Sequence, residues 1–308
     1  MGIKQDYVNE LNAIAARYGA LEEETIRRSL AMLKDLRAQI AAELSTVEGW
    51  EAYRLKQLQA NLARLIDGYQ ARMTALFHNN LADASRAGIA SAADPLRKAG
   101  LLASFNRPTP SLVNVALDFS ARLIQEITDE MRAKIDAQLR LAILGQKSPA
   151  DAMRLITQEL GIEARAGVWA KRLPPARGIA ARAETIVRTE MGRLYNLSAY
   201  SQQQAIAAVV PGLLKSWLAT GDTRTRKGHL RAHLEYKEHP IPYDKPFVIY
   251  DIDDKGRVKG RANLMYPKDP AAPGQYTINC RCKLLTIHPE VGRIGMITDA
   301  RVQKIWGA

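Results

Sequence analysis

The sequence predicts an α+β fold, in which a long helical N-terminal two-thirds precedes a compact C-terminal unit with a small, mainly antiparallel sheet. Two observations support this prediction. Aromatic residues make up only 6% of the 308 residues and alanine is abundant, which favours helices over a β-sandwich. Apolar residues recur every three or four positions through the first part, whereas the strongest β-forming run, residues 276–287, lies near the C-terminal end.

Two long helices are predicted at the start of the chain. Residues 5–44 carry an apolar stripe that continues to Ile40. A capping box at Ser45-Thr46-Val47-Glu48 indicates the start of a second helix, whose apolar seam spans residues 55–76. A short turn between two long helices predicts an antiparallel hairpin, and we assign residues 1–93 to a helical arm. Because such a hairpin has little core of its own, its stripe must pack on the following helices or on another protein.

Prolines and glycines divide the rest of the chain. Pro95 and Pro108-Thr109-Pro110 interrupt the helical pattern and predict a hinge. A further helix is expected over residues 113–144, and Ser148 with Pro149 predicts the cap and first turn of a short one. The predicted domains are therefore the arm, a helical middle region at 94–177, a C-terminal domain at 178–288 and a tail at 289–308.

The C-terminal domain should combine one long helix with short strands. The helix is expected over residues 179–209, and residues 213–219 form a plausible first strand. Asp222 is placed to cap a short helix that carries His229. Residues 247–250 and 258–261 flank an acidic turn and predict a β-hairpin.

Both cysteines lie in the β-forming run. In an extended strand, Cys280 and Cys282 would present their thiols to the same side. Thiols two residues apart close a disulfide poorly. With His229 and His233 as further ligands they could form a tetrahedral zinc site. The alternative is that the two cysteines pack as small buried residues, and the sequence leaves both readings open.

Composition restricts the class of protein. No run of about 18 apolar residues exists, so we expect no membrane span, and the first residues lack the apolar core of a signal peptide. Two cysteines provide no disulfide framework, which fits a reducing cytoplasm. The net charge of +12 suits an acidic partner such as double-stranded DNA bound without sequence specificity. Because the basic residues are dispersed among acidic ones, a mildly basic solvated surface explains the charge equally well.

An enzymatic role is not expected. The sequence contains no Walker phosphate loop, dinucleotide fingerprint, zinc-protease motif or nucleophile elbow. Arg224 and Arg226 could bind a phosphodiester with His229 as general base, which would suit a nuclease-like or toxin-like enzyme. No second histidine or glutamate stands at a spacing that would complete such a pair.

Residues 178–287 resemble the phage head morphogenesis family typified by the F protein of phage Mu. The order and spacing of its motifs match, and the Asn-Cys-Arg-Cys ending is their most specific part. The motif residues here are Arg188, Thr189, Glu190, Asn196, Trp217, Asp222, Arg224, Arg226, His229, Phe247, Pro267, Asp269, Pro270, Asn279, Cys280, Arg281 and Cys282. One departure is the stretch Leu234-Glu235-Tyr236, where family members often have a glycine. Given the resemblance, we expect Arg188 and Glu190 to hold loops of the C-terminal unit by charge-assisted hydrogen bonds.

The resemblance implies a minor capsid protein of a tailed phage or prophage. Such a protein would associate with the portal, enter the procapsid and possess no catalytic site. It would be found in the virion, in the capsid interior or portal region, and in the host cytoplasm during assembly. Scaffold or major capsid protein would be further partners. The alternatives are a DNA-binding internal head protein that acts in packaging or ejection, and the nuclease-like enzyme centred on His229.

Overall fold

The computed structural model describes residues 3–45, 52–101, 111–144, 146–159 and 178–289. Within these residues the fold is α+β, as predicted. The elements in chain order are α1 (Ile3–Ser45), α2 (Ala52–Lys98), α3 (Ser111–Ile143), α4 (Pro149–Glu159), α5 (Ile179–Ala207), β1 (Leu214–Leu218), α6 (Lys227–Glu238), β2 (Ile241–Pro242), β3 (Phe247–Ile252), β4 (Val258–Leu264), α7 (Gly274–Thr277) and β5 (Lys283–Ile287).

The predicted helices at 5–44 and 113–144 are confirmed by α1 and α3. Ser148 caps α4 as predicted, since its Oγ accepts a hydrogen bond from the Asp151 amide at 3.0 Å. The remaining residues of the capping box, the hinge at 108–110 and most of the tail lie outside the described residues.

The predicted break of α2 at Pro95 is wrong. The helix continues through this proline to Lys98, because Ala92, Ala93 and Leu96 are fully buried and their packing outweighs the local penalty of the ring. The helix ends instead at Gly100, whose φ of +72° is the left-handed conformation that suits a helix C-terminus.

The chain forms two compact units, and neither is a single continuous segment. One unit, here called the sheet unit, takes the described residues of 1–22, 80–116 and 188–308. The other, here called the helical unit, takes those of 23–79 and 117–187. This division differs from the arm that we expected at residues 1–93, because α1 and α2 each contribute to both units.

The sheet unit contains a three-stranded antiparallel sheet in the order β2-β1-β5 and a separate hairpin of β3 and β4. In the central strand β1, Trp217 is opposite Leu284 and Ser216 is opposite Leu285. The predicted strand at 213–219 and the predicted hairpin are both confirmed. Gly256, at φ +81°, closes the turn of the hairpin.

The cysteines do not lie in a strand, so this part of the prediction is wrong. Residues 274–277 form α7, and β5 begins only at Lys283. Asn279 has a φ of +57°, and this left-handed residue interrupts the extended path between α7 and β5.

The start of α1 belongs to the core of the sheet unit. Tyr7 and Leu11 are buried in a cluster with Leu285 and Ile287 of β5. Strand β5 is an edge strand, and α1 covers it: the Tyr7 hydroxyl donates a hydrogen bond to the carbonyl of Thr286. A second core cluster surrounds Trp217, between α5, α6 and the β3–β4 hairpin.

Candidate functional site

Three of the predicted site residues converge in the second core. The His229 Nδ1 atom lies 3.3 Å from the Sγ of Cys282 and 3.4 Å from the Sγ of Cys280. The three ligand atoms lie within 4.8 Å of one another, and all three side chains are buried. The predicted proximity of the histidine to both cysteines is therefore found, although the local backbone differs from the expected strand.

The turn that precedes β5 brings the thiols together. After α7 the Cys280 amide donates to the Thr277 carbonyl at 3.3 Å, and Asn279 then reverses the backbone direction. The Cys282 amide donates to the Sγ of Cys280 at 3.3 Å. The chain thus folds back on itself, which directs both thiols towards α6.

Helix α6 reaches the cysteines because it packs unusually close to the hairpin. A Cβ atom at Gly228 would lie 1.7 Å from the Tyr250 carbonyl oxygen, so no other residue fits here without moving β3. Arg226, just before the helix, donates to the Ile278 carbonyl at 2.7 Å and joins α6 to the cysteine turn. These contacts fix the position of His229.

Aromatic rings enclose the site. The Trp217 ring meets His229 edge-on, with 5.5 Å between ring centroids, and Phe247 in the same way at 5.3 Å. His229, Cys280 and Cys282 are only 2–4% exposed. The site therefore has little access to bulk water.

Burial and mutual contact move the two thiol pKa values apart. Burial alone raises the pKa of Cys280, but a hydrogen bond from Cys282 and the interaction with His229 together hold it well below its usual range. Burial and then the interaction with Cys280 raise the pKa of Cys282 well above its usual range. Cys280 is thus the thiol that ionises first.

His233 lies one helical turn further along α6 and is not a member of this group. Its Nδ1 lies 3.1 Å from the Trp217 carbonyl oxygen. Burial lowers the pKa of His233, which keeps the ring neutral more readily. The stretch Leu234-Glu235-Tyr236, which departs from the family pattern, continues the helix, and the Tyr236 hydroxyl accepts from the Val248 amide at 2.8 Å.

Asp222 does not cap α6, contrary to the prediction. Its carboxylate accepts from the Arg224 amide at 3.1 Å and from the Thr225 hydroxyl at 3.2 Å, and forms an ion pair with Arg281. Partial burial raises the pKa of Asp222, but Arg281 and Arg224 more than offset this effect and lower it to about 2. The helix begins five residues later, and the side chain of its N-cap residue, Arg226, makes no capping hydrogen bond.

Helix α5 holds the other side of the cysteine turn through neutral groups. The Asn196 amide nitrogen donates to the Cys282 carbonyl at 3.1 Å, and its oxygen accepts from the Leu284 amide at 2.8 Å. The Thr189 hydroxyl accepts from the Asn279 amide at 2.9 Å. These two side chains fasten the loop to the helix.

Within the Arg-Thr-Glu motif, Glu190 does not have the role that we expected. Glu190 pairs with Arg193 on the same helix at 2.8 Å, so this carboxylate does not fasten a loop. Arg188 is buried, and its backbone carbonyl accepts a hydrogen bond from Lys268. The sequence analysis missed Lys268, a fully buried lysine whose chain passes beside Gly192, where a Cβ would lie 1.7 Å from its Nζ. Lys268 lies between the motif residues Pro267 and Asp269, and this position was the only indication in the sequence that it could have a structural role.

Comparison with known proteins supports the resemblance. Residues 156–285 match the family described as phage Mu protein F like protein, and this range contains the motif residues from Arg188 to Cys282. No curated protein and no solved structure gives a significant match. Among the described residues, no helix is both long and apolar enough to cross a membrane. Residues 156–285 are thus similar to the phage Mu protein F like family, and the similarity covers less than half of the chain.

Proposed function

We propose that this protein is a minor capsid protein of a tailed phage or prophage, which associates with the portal and is incorporated in the procapsid. The observation that carries the proposal is the match of residues 156–285 to the phage Mu protein F-like family. A role in phage head morphogenesis then places its partners among the other head components, with the portal as the first candidate and scaffold or major capsid protein as others.

The contacts of the motif residues support a structural role. Asn196 and Thr189 bond the cysteine turn, Arg226 bonds its carbonyl at Ile278, and Asp222 pairs with Arg281. Side chains that are engaged in this way stabilise one fold and are not free to act on a substrate. The motif therefore reads as a folding signature of the domain.

The same geometry argues against a nuclease role for His229. A general base must come within hydrogen-bonding reach of its substrate. The His229 ring is 2% exposed, and its Nδ1 faces two sulfur atoms. A phosphodiester could not approach it without unfolding the core, so we assign no catalytic residue.

The helical unit is the proposed docking surface for the portal. It consists of the end of α1, the start of α2, α3 from Leu117 onwards, α4 and the start of α5, and most of it precedes the region that matches the family. Residues 3–22 and 80–93, which we expected in the helical arm, are instead part of the sheet unit. We therefore propose residues 23–79 and 117–159 as the docking surface.

The test is incorporation into procapsids when the protein is produced with its portal and major capsid protein. We expect the full chain to copurify with portal-containing procapsids in few copies per particle. Replacement of residues 38–58 by a six-residue Gly-Ser linker shortens α1 and α2 by about two turns each without touching the sheet unit, and it should abolish incorporation. Replacement of residues 46–51 by a Gly-Ser linker of equal length is the matched control. Normal incorporation of the shortened variant would place docking elsewhere, and absence of the full chain from the particles would overturn the proposed function.

Contact with packaged DNA is a second proposed role. Arg257, Lys259 and Arg261 are exposed at alternate positions of the β3–β4 hairpin, and the whole chain has a net charge of +12. Phosphate contacts of this kind weaken steeply as salt rises. Titration of duplex DNA at two salt concentrations tests this role, and binding that does not respond to salt would argue against it.

A further inference from the structure

We propose that His229, Cys280 and Cys282 bind one Zn²⁺ ion inside the phage Mu protein F-like domain. The ligand atoms are the Nδ1 of the histidine and the two cysteine sulfurs. The donor set is soft, and thiolate with imidazole is the combination that zinc prefers in proteins. The inference goes beyond the proposed function and does not depend on it.

The separations suit a shared ion. Zinc lies about 2.3 Å from sulfur and about 2.0 Å from imidazole nitrogen, so tetrahedral ligand atoms are separated by about 3.5–3.8 Å. The two nitrogen–sulfur distances of 3.3 and 3.4 Å are within a few tenths of an ångström of that spacing. Small movements of the side chains would admit the ion. Three protein ligands leave one position, which a water molecule would fill.

The histidine ring is oriented by the sulfurs. Its Nε2 is buried and makes no hydrogen bond among the described residues, whereas its Nδ1 faces both thiols. One nitrogen cannot donate fully to two sulfurs at once, since a neutral ring carries a single hydrogen on either nitrogen. A metal ion on Nδ1 would satisfy the nitrogen and both sulfurs together.

The surroundings favour a site with two thiolates. The Cys282 amide donates to the Sγ of Cys280 at 3.3 Å, and hydrogen bonds of this kind to a ligand sulfur stabilise its charge. Zinc would balance the charge of two thiolates, which a dry core could not otherwise hold.

The ion would join two segments that are distant in sequence. His229 belongs to α6, and the cysteines lie 51 and 53 residues further on, before β5. A ligand that binds only the folded state adds its binding free energy to stability. The metal would therefore hold α6 and the cysteine turn against each other.

The first experiment is elemental analysis of the full chain, purified from zinc-supplemented cells and dialysed against metal-free buffer. We expect one zinc per chain, released when a mercurial modifies two thiols. Cobalt added to the metal-free protein should give thiolate-to-metal charge-transfer absorption. Protein that contains no zinc, binds none on addition and shows no such absorption would overturn the proposal. A mass two hydrogens below the reduced chain would show a disulfide and would also overturn it.

Matched variants identify the ligands. His229→Gln, Cys280→Ser and Cys282→Ser should each lower zinc affinity by at least about 100-fold, whereas His233→Gln should keep one zinc per chain. His233 is the right control because it is a buried histidine on the same helix whose Nδ1 contacts the Trp217 carbonyl instead. Equal loss of zinc from both histidine variants would contradict the assignment.

Because the ligand variants could fail to fold, the wild-type chain provides an independent measurement. Removal of zinc with a chelator should lower the melting temperature, and readdition of zinc should restore it. An unchanged melting temperature in both steps would overturn the proposal. Both measurements use the isolated protein, so their outcome is separate from that of the procapsid experiment.

Discussion

Replacement of Leu11 by alanine should destabilise the sheet unit, although this residue precedes the region that matches the family by more than a hundred positions. Leu11 is 2% exposed, and it packs in a cluster that also contains Ile206, Leu285 and Ile287. If α1 were only a docking arm, the same change would leave the domain intact. The substitution therefore distinguishes the observed division of the chain from the expected one.

The expected loss in the free energy of unfolding is about 3 kcal/mol, from the range for buried leucine-to-alanine changes in protein cores. The low end of that range applies where neighbours can collapse into the cavity. Here the cavity would be lined by α1, α2, the end of α5 and β5. The hydrogen bond from the Tyr7 hydroxyl to the Thr286 carbonyl also holds α1 against β5. Collapse would require these elements to move together, so the loss should not fall much below this value.

Equilibrium unfolding in urea, followed by the fluorescence of Trp217, measures this effect. The other tryptophans, at positions 50, 169 and 306, are first replaced by phenylalanine so that the signal reports the sheet unit alone. Asn12→Ala is the control, because this neighbour is exposed and its replacement should change stability by no more than about 0.5 kcal/mol. A Trp217 transition that is the same in Leu11→Ala and Asn12→Ala would refute the reasoning.

That reasoning also reverses our expectation for a large deletion. The assignment of residues 1–93 to an arm and of 178–288 to a separate domain implied that this domain folds without the arm. The contacts of Tyr7 and Leu11 with β5, and the burial of Ala92 and Ala93 in the same cluster, now predict that this deletion abolishes the Trp217 transition.

Three further substitutions test the site. Gly228→Ala should cost more than about 2 kcal/mol, because its Cβ would collide with the Tyr250 carbonyl, and urea unfolding measures the loss. Asn196→Ala should cost about 2–3 kcal/mol in the same assay, since it leaves the buried Leu284 amide and Cys282 carbonyl without this partner. Asp222→Asn should cost about 1 kcal/mol at pH 7, a value that allows for solvent screening of this partly exposed pair. Because the folded-state pKa of Asp222 is about 2 against an ordinary 3.8, its contribution is complete above pH 4 and is lost as the pH falls towards 2.

Each of these three has its own check. Gly19→Ala is the control for Gly228→Ala, because nothing lies within 4 Å of its Cβ and alanine should stabilise the helix slightly. If Asn196→Ala is as stable as the wild type, water replaces the hydrogen bonds of the lost side chain. If Asp222→Asn and the wild type lose stability equally between pH 4 and pH 2, another carboxylate is responsible.

The sequence predicted those features that depend on local pattern. The apolar period over α1 and α3, the serine cap of α4, the strand around Trp217 and the β3–β4 hairpin all carry their signal within a few residues. The proximity of His229 to the cysteines was expected from the motif order, although for a wrong local reason.

The errors and omissions arise where tertiary contacts decide. β-Forming residues surround Cys280, yet Asn279 adopts a left-handed conformation there, and its amide bonds Thr189 some 90 positions earlier. Asp222 was expected as a helix cap from its position just before α6. Its actual partner, Arg281, is 59 positions away, and no local pattern indicates this pairing. The burial of Lys268 depends on the space left by Gly192, which no local pattern reveals.

The cover of β5 by α1 sets an order of events during synthesis. Tyr7 and Thr286 are 279 positions apart, so the ribosome releases α1 long before its binding strand exists. During that interval the apolar face of Tyr7, Val8 and Leu11 stays open, and contacts at such separation also form slowly. A chain that stops before β5 should display this face permanently, bind chaperones and be cleaved rapidly by protease. The same contact thus distinguishes chains that have made β5 from chains that have not, and only the former can complete the core of the sheet unit.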